Sequence, residues 1–258
     1  MDHPACLAQG RRAAAVLAAA ALLAAPFAIA APASRAPATP APRASAAAPA
    51  PRASAAAPAT IGGASAAEWT IRWWRWAHSF PAGRQPYLDR DGRRCAMHQD
   101  EDGPVWFLAG TDGSFDAERR CRVPAGKHLL VPVINMYFHG PRLGEDAMSC
   151  AEVKQRAAVN NDYLVSAVVL LDGKPLARPA RLTSRCFDPG AERDDTGPDD
   201  RRGVVRAAAD GYWLLLPPLA PGAHRLSIGA NYGNPDDPDY GTMRQNFEYR
   251  LDVGDPAI

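Results

Sequence analysis

A chain of 258 residues, 47% of them apolar, can build one well-buried domain. Positions 1–62 hold five of the 29 basic and one of the 28 acidic side chains, so the remainder is slightly acidic, about −3. That balance, with no basic run longer than a pair, excludes the clustered cationic surface of a nucleic-acid binder.

The first sixty residues read as an address. Arg11 and Arg12 precede an apolar run at 13–23, and small residues follow at Ala28-Ile29-Ala30 and Ala31-Pro32-Ala33. This is the layout of a secretory signal peptide over residues 1–30. The run is too short and too rich in alanine for a membrane span, which takes about 20 strongly apolar residues. No span is therefore expected after signal removal, and the expected location is the periplasm or the cell exterior. Cys6 precedes the apolar run, which argues against a lipid anchor. Residues 31–62 form a Pro/Ala/Ser/Arg tract in which Pro42-Arg-Ala-Ser-Ala-Ala-Ala-Pro-Ala50 recurs at 51–59. With no apolar face to bury, the tract is expected to be a disordered linker.

Residues 63–258 are expected to form a single domain. It carries Cys95, Cys121, Cys150 and Cys186, and an even count in an exported chain predicts two disulfides. Three pairings are open. Cys95–Cys121 with Cys150–Cys186 is favoured, because each bridge joins neighbouring segments. The absence of a C-x-x-C pair argues against zinc.

In chain order, Ser65-Ala-Ala-Glu68 is a capping box that predicts a helix to about His78. Trp69, Trp73 and Trp76 share a narrow arc of that helix, with Glu68, Arg72 and Arg75 opposite. Such a face either packs on a sheet or forms a stacking platform for a flat ligand. Residues 105–109 read as a short strand buried on both sides, and residues 123–127 as a turn. Residues 128–138 read as a long strand in which Pro132 forces a bulge or an edge position. Ser149-Cys-Ala-Glu152 opens a second helix, to about Ala158. Residues 164–171 and 174–182 flank Asp172-Gly173 as a hairpin. Strands follow at 211–216 and 223–230. Phe247, Tyr249, Leu251 and Val253 alternate with Glu248, Arg250 and Asp252, a period of two with one wet face. Strands with short turns and no βαβ rhythm predict an all-β, antiparallel β-sandwich, Ig-like or jelly-roll-like, with one or two short peripheral helices.

Five stretches carry a resemblance: Trp73-Trp74-x-Trp76, Cys95-x-x-x-Gln99, Gly103-Pro-Val-Trp-Phe-Leu-Ala-Gly110, Cys121-x-Val-Pro-Ala-Gly-Lys127 and Gly211-Tyr-Trp-Leu-Leu-Leu-Pro-Pro-Leu-x-Pro-Gly-x-His224. Together they resemble an uncharacterised family of exported microbial proteins, over most of residues 69–253. The resemblance implies a secreted β domain and brings no substrate or catalytic residue. Asp100-Glu-Asp102 looks like a local elaboration of that pattern. The strand–Pro-Gly–strand pattern ending at residues 249–253 is similar to the last hairpin of Ig-like extracellular modules, a likeness of fold alone.

No G-x-S-x-G elbow, H-E-x-x-H, P-loop or G-x-G-x-x-G is present. Asp89, Asp91, His98 and Glu101 put carboxylates and an imidazole in one loop region, a set that suits acid–base chemistry or a metal. A solvated acidic loop is the plainer reading. Oxygen-rich loops at 194–200 and 234–239, with Asp236, Asp237 and Asp239, suit calcium or plain turns. No other cofactor is expected.

The composition thus supports an exported ligand-binding module, most concretely one that binds a polysaccharide by stacking Trp69, Trp73, Trp76 or Trp106 on sugar faces. One rival is an extracytoplasmic hydrolase using Asp89, Asp91, His98 and Glu101. Another is an assembly subunit whose Trp-rich helix docks an envelope protein, which requires a large exposed apolar patch there.

Overall fold

The computed structural model describes residues 60–142, 147–191, 205–234, 236 and 241–254. By contact the chain divides at residues 51 and 52, and every described residue lies in the second unit. The expected signal peptide and all but the last residues of the linker lie outside the described residues.

Helix α1 runs Ala66–His78 and starts where Ser65 Oγ accepts the Glu68 N–H at 3.2 Å. The reciprocal half of the expected capping box is replaced by an ion pair, Arg185 Nε to Glu68 Oε1 at 2.8 Å. Helix α2, Cys150–Ala158, has the full box: Ser149 Oγ accepts from Glu152 N, and the Glu152 carboxylate accepts from Ser149 N at 2.7 Å.

Among the described residues, nine strands form two sheets. One has the order β1 (Val105–Phe107), β3 (His128–Arg142), β7 (Val205–Leu216), β6 (Ala180–Thr183). The other has β2 (Ala117–Pro124), β9 (Met243–Gly254), β8 (Gly222–Tyr232), β4 (Leu164–Leu171), β5 (Lys174–Pro175). The all-β sandwich stands, but purely antiparallel pairing does not. β1 runs parallel to β3 and β2 parallel to β9, so each sheet closes with a parallel edge pair. The expected 174–182 strand also divides. β5 keeps two residues beside β4, whereas β6 joins the other sheet against β7. The bulge expected at Pro132 is present as a register shift between Pro132 and Ile134.

The sheets enclose a core in which Leu108, Val131, Val133 and Leu214 meet Leu226, Ile228, Phe247, Tyr249 and Leu251. The opposite face of the four-stranded sheet packs against α1. There the helix tryptophans meet Val105, Phe107, Leu130, Ala207, Ala209 and Trp213. That sheet is buried on both faces, whereas β9 shows the one-sided alternation read from its sequence. The order of layers is therefore helix, sheet, sheet.

Two disulfides join Cys95 to Cys121 and Cys150 to Cys186, with Cα separations of 5.7 and 5.9 Å. The first ties the 89–99 loop to β2; the second ties the start of α2 to the chain before β7. Each contributes about 2–4 kcal/mol, mainly by constraining the unfolded chain. Among the described residues no helix is long and apolar enough to cross a membrane.

Candidate functional site

The expected stacking platform is core. Trp69, Trp73, Trp76 and Trp106 are each 3% exposed or less. Trp69 Nε1 donates to Ile61 O, Trp73 Nε1 to Leu108 O and Trp76 Nε1 to Met97 O, at 2.7–3.0 Å. Burying the aromatic area, and pairing the indole N–H of Trp69, Trp73 and Trp76, outweighs leaving the rings in water; the buried Trp106 Nε1 has no hydrogen-bond partner among the described residues. These four rings pack in the core and keep almost no surface for the expected sugar stacking or docking of an envelope protein. Arg75, expected on the wet side, is also buried. Its Nε donates to Asp188 O, and its guanidinium lies over Phe187.

What α1 does present is Trp74, which stands about 140° around the helix from Trp69 and off the shared arc. It opens on a cavity of about 250 Å³ at the seam of several elements. Trp74 and His78 come from the end of α1, and Tyr87 from a single 3-10 turn at Pro86–Leu88. Thr111 and Asp112 come from the β1–β2 connection, and Asn135 and Tyr137 from β3. The Trp74 and Tyr137 rings are tilted by 31° with centroids 4.8 Å apart, His78 stacks on Trp74 at 5.5 Å, and the His78 and Tyr137 rings meet edge to face at 4.7 Å.

Local packing fixes this arrangement. Gly211 lies opposite Asn135 across β3 and β7, and a Cβ there would come within 2.6 Å of Asn135 Cα. Only glycine lets the two backbones approach so closely. Gln245, 1% exposed, clamps the connection from below. Its Oε1 accepts from Thr111 N and Oγ1, and its Nε2 donates to Thr111 O.

Among the described residues, three that line this cavity carry a buried nitrogen with no hydrogen-bond partner: Trp74 Nε1, His78 Nδ1 and Asn135 Nδ2. Burial, then the neighbouring charge of His139, holds His78 below the usual imidazole range, so its ring is neutral at pH 7. Burial, then Asp188 and Tyr87, raises the Tyr137 phenol well above its ordinary value, and burial with Asp112 raises Tyr87. The wall is therefore aromatic and uncharged, with Asp112 at its exposed rim. Sequence reasoning missed these residues. The available signals were a tryptophan off the buried arc and an asparagine inside the apolar run of β3.

A second cavity, a groove of about 740 Å³, is lined by residues 79–98. It brings together Asp89, Asp91 and His98, three of the four expected acid–base residues, and leaves Glu101 outside. Asp89 is 6% exposed and committed to the loop, its Oδ2 accepting from Arg94 N at 2.7 Å and its Oδ1 from Asp91 N at 3.3 Å. Asp91 pairs with Arg93 at 2.8 Å. His98 Nδ1 lies 2.8 Å from Ser79 Oγ, and its ring stacks on Phe80. The Glu101 carbonyl accepts from Lys127 Nζ. No cluster of three His, Cys, Asp or Glu suited to a metal occurs among the described residues. Asp236 is exposed there, and Asp237 and Asp239, with the 194–200 loop, lie outside the described residues.

At the hairpin tip of the other sheet, His224 Nδ1 meets Asp172 Oδ2, and His224 Nε2 meets Ala220 O, both at 2.8 Å. The Asp172 bond, then that to Ala220, raises the imidazole pKa. The Arg225 N–H, then His224, lowers that of Asp172. The raised histidine stabilises fully below about pH 6.5 and loses this as pH rises through its folded value. The lowered aspartate stabilises above about pH 3.9 and loses this as pH falls through its folded value. The pair therefore stabilises most between about pH 4 and 6.5. The melting-point deficit of His224→Gln is expected to peak in that window and to shrink as pH rises through the raised folded value of the imidazole. A deficit constant with pH would contradict the assignment.

Compared with protein-family models, curated proteins and solved structures, the chain matches none of them.

Proposed function

We propose that the chain is an exported, disulfide-stapled β-sandwich module that binds one neutral, hydroxyl-bearing ring, a single sugar residue, in the cleft between α1 and β3. Membership of the exported microbial family that its motifs resemble is part of this reading. The carrying observation is that three residues lining one aromatic cavity, Trp74, His78 and Asn135, each carry a buried nitrogen with no hydrogen-bond partner among the described residues. Each such group left unbonded costs about 1–3 kcal/mol, and ligand oxygens that accept from Trp74 and Asn135 remove that cost. The rings of Trp74, Tyr87 and Tyr137 supply apolar area for the ring face.

Charge favours a neutral occupant. Among the described residues no Lys or Arg lines the cleft, and Asp112 sits at its mouth, so a buried anion would lack a counter-charge. Size limits the occupant to one ring, because about 250 Å³ lies just under the range of roughly 300–1,000 Å³ typical of drug-sized ligands. The hydrolase reading has less support, since Asp89 is already committed to backbone N–H groups.

Thermal unfolding of the full chain with a panel of neutral monosaccharides and short oligosaccharides tests the reading. A ligand at 100 times its dissociation constant adds about 2.7 kcal/mol. For a domain of this size the midpoint should rise by roughly 5–10 °C. At least one sugar is expected to give that rise, and Asn135→Leu to abolish it. A flat response across the panel, or a rise that survives both Asn135→Leu and Trp74→Phe, contradicts it.

A further inference from the structure

The cleft and the groove are lined in part by successive residues of the chain. His78 and Tyr87 line the cleft, and their neighbours Ser79, Leu88 and Asp89 line the groove. That adjacency makes the groove a candidate surface for the next unit of a chain-like ligand seated in the cleft.

The charge of the groove is opposite to that of the domain. Arg84, Arg90, Arg93 and Arg94 line it against only two carboxylates, Asp89 and Asp91, while residues 63–258 carry more acidic than basic side chains. Arg84 and Arg90 have no carboxylate within ion-pair reach among the described residues; Arg90 lies over Phe115 at 3.9 Å. The Arg93–Asp91 pair is 86% and 51% exposed, so water screens it and an incoming anion competes for the guanidinium readily. Asp89 is buried beneath backbone N–H groups. The C-terminal end of α1 also reaches the groove, and its partial negative charge opposes an anion. Ser79 offsets part of that charge, its N–H and Oγ–H both donating to Trp76 O.

Resting on the cleft reading, we propose that the groove holds the acidic group of the same glycan. The group is a carboxylate, sulfate or phosphate ester on the sugar next to the one in the cleft. The ligand class is then an acidic glycan with a neutral residue at one end. Guanidinium groups suit all three anions through paired N–H donors.

Calorimetric titration of the full, oxidised chain tests this with two probes. One is an oligosaccharide of uronic acids ending in a neutral sugar; the other is its carboxyl-reduced, neutral counterpart. The acidic probe is expected to bind at least about tenfold tighter at low salt, with the advantage shrinking as sodium chloride rises to about 0.5 M. Arg84→Gln/Arg93→Gln changes two exposed side chains. It is expected to equalise the two probes and leave the neutral affinity unchanged. Inorganic phosphate or sulfate in excess is expected to remove the tenfold advantage and nothing more, and the stronger competitor of the two names the preferred anion. Equal affinity for both probes in the unaltered protein overturns the groove proposal while the cleft reading stands. Binding of the acidic probe that survives Asn135→Leu overturns the cleft reading, and binding of neither probe overturns both.

Discussion

Trp73→Ala is expected to destabilise the domain by about 4 kcal/mol, within the range for large aromatic truncations in a core. Trp73 is 1% exposed, and its ring meets those of Trp74, Trp76 and Trp213 at centroid distances of 4.9, 5.8 and 5.3 Å. Its Nε1 donates to Leu108 O at 2.7 Å, so the truncation also strips a buried carbonyl of its donor, about 1 kcal/mol more. Native domains are stable by only about 5–15 kcal/mol, so this single change should leave little. Urea unfolding followed by near-ultraviolet circular dichroism measures it. A loss under about 1.5 kcal/mol is what an exposed stacking residue would give, and would contradict the burial of this face.

The second large effect is expected at Arg119. Its guanidinium is 2% exposed and is held by carbonyls and ring faces; no carboxylate pairs with it among the described residues. Nε donates to Asp89 O at 2.6 Å, and Nη1 donates to Ala109 O at 2.6 Å and Tyr249 Oη at 3.1 Å. The Phe247 and Tyr249 rings lie 5.9 and 5.4 Å away. Ala109 leads into the cleft connection at 110–112, and Asp89 opens the groove loop. One side chain thus anchors the approaches to both cavities. Arg119→Met keeps most of the volume but leaves two carbonyls without this donor, so a loss of about 2–4 kcal/mol is expected. Amide hydrogen exchange should quicken at residues 89–94 and 109–112 before the rest of the domain. Unchanged protection in those two segments, or a loss under about 1 kcal/mol, would remove Arg119 from this role.

Much of the scaffold was legible because it follows from periodicity and caps. The alternation in β9 assigned Phe247 and Tyr249 to the core and Arg250 to water. Ser65 and Ser149 marked the two helix starts, and Pro132 marked the bulge. What was not legible is long-range. β2 alternates buried and exposed along residues 117–124, but its partner is β9, more than a hundred residues away, and the pairing is parallel. β6 leaves the hairpin for the other sheet because its partner is β7, a choice that tertiary packing makes. The site was the least legible part. Trp69, Trp73 and Trp76 drew attention as an aromatic stripe, and a stripe is what buries. Trp73 and Trp74 both line the cavity, and it is Trp74, the one off the arc, whose indole N–H has no partner among the described residues. Asn135, Tyr137 and Tyr87 lie on separate elements, and only the fold brings them together. Asp89 and His98 did come to one groove, as their spacing suggested, yet hydrogen bonding set Asp89 to hold its own loop.

The central claim, that Trp74 and Asn135 donate to a ligand in the cleft, is tested most directly by nitrogen–proton correlation spectra of the full chain. The six indole N–H signals and the Asn135 amide pair are followed during titration with the sugar that raises the melting point. Trp69, Trp73 and Trp76 already donate to backbone carbonyls, so their signals are expected to stay in place. The Trp74 indole N–H and the Asn135 amide are expected to move downfield together, saturating at one dissociation constant. A saturating titration in which both stay fixed while other signals move would contradict the account and place the ligand elsewhere on the protein.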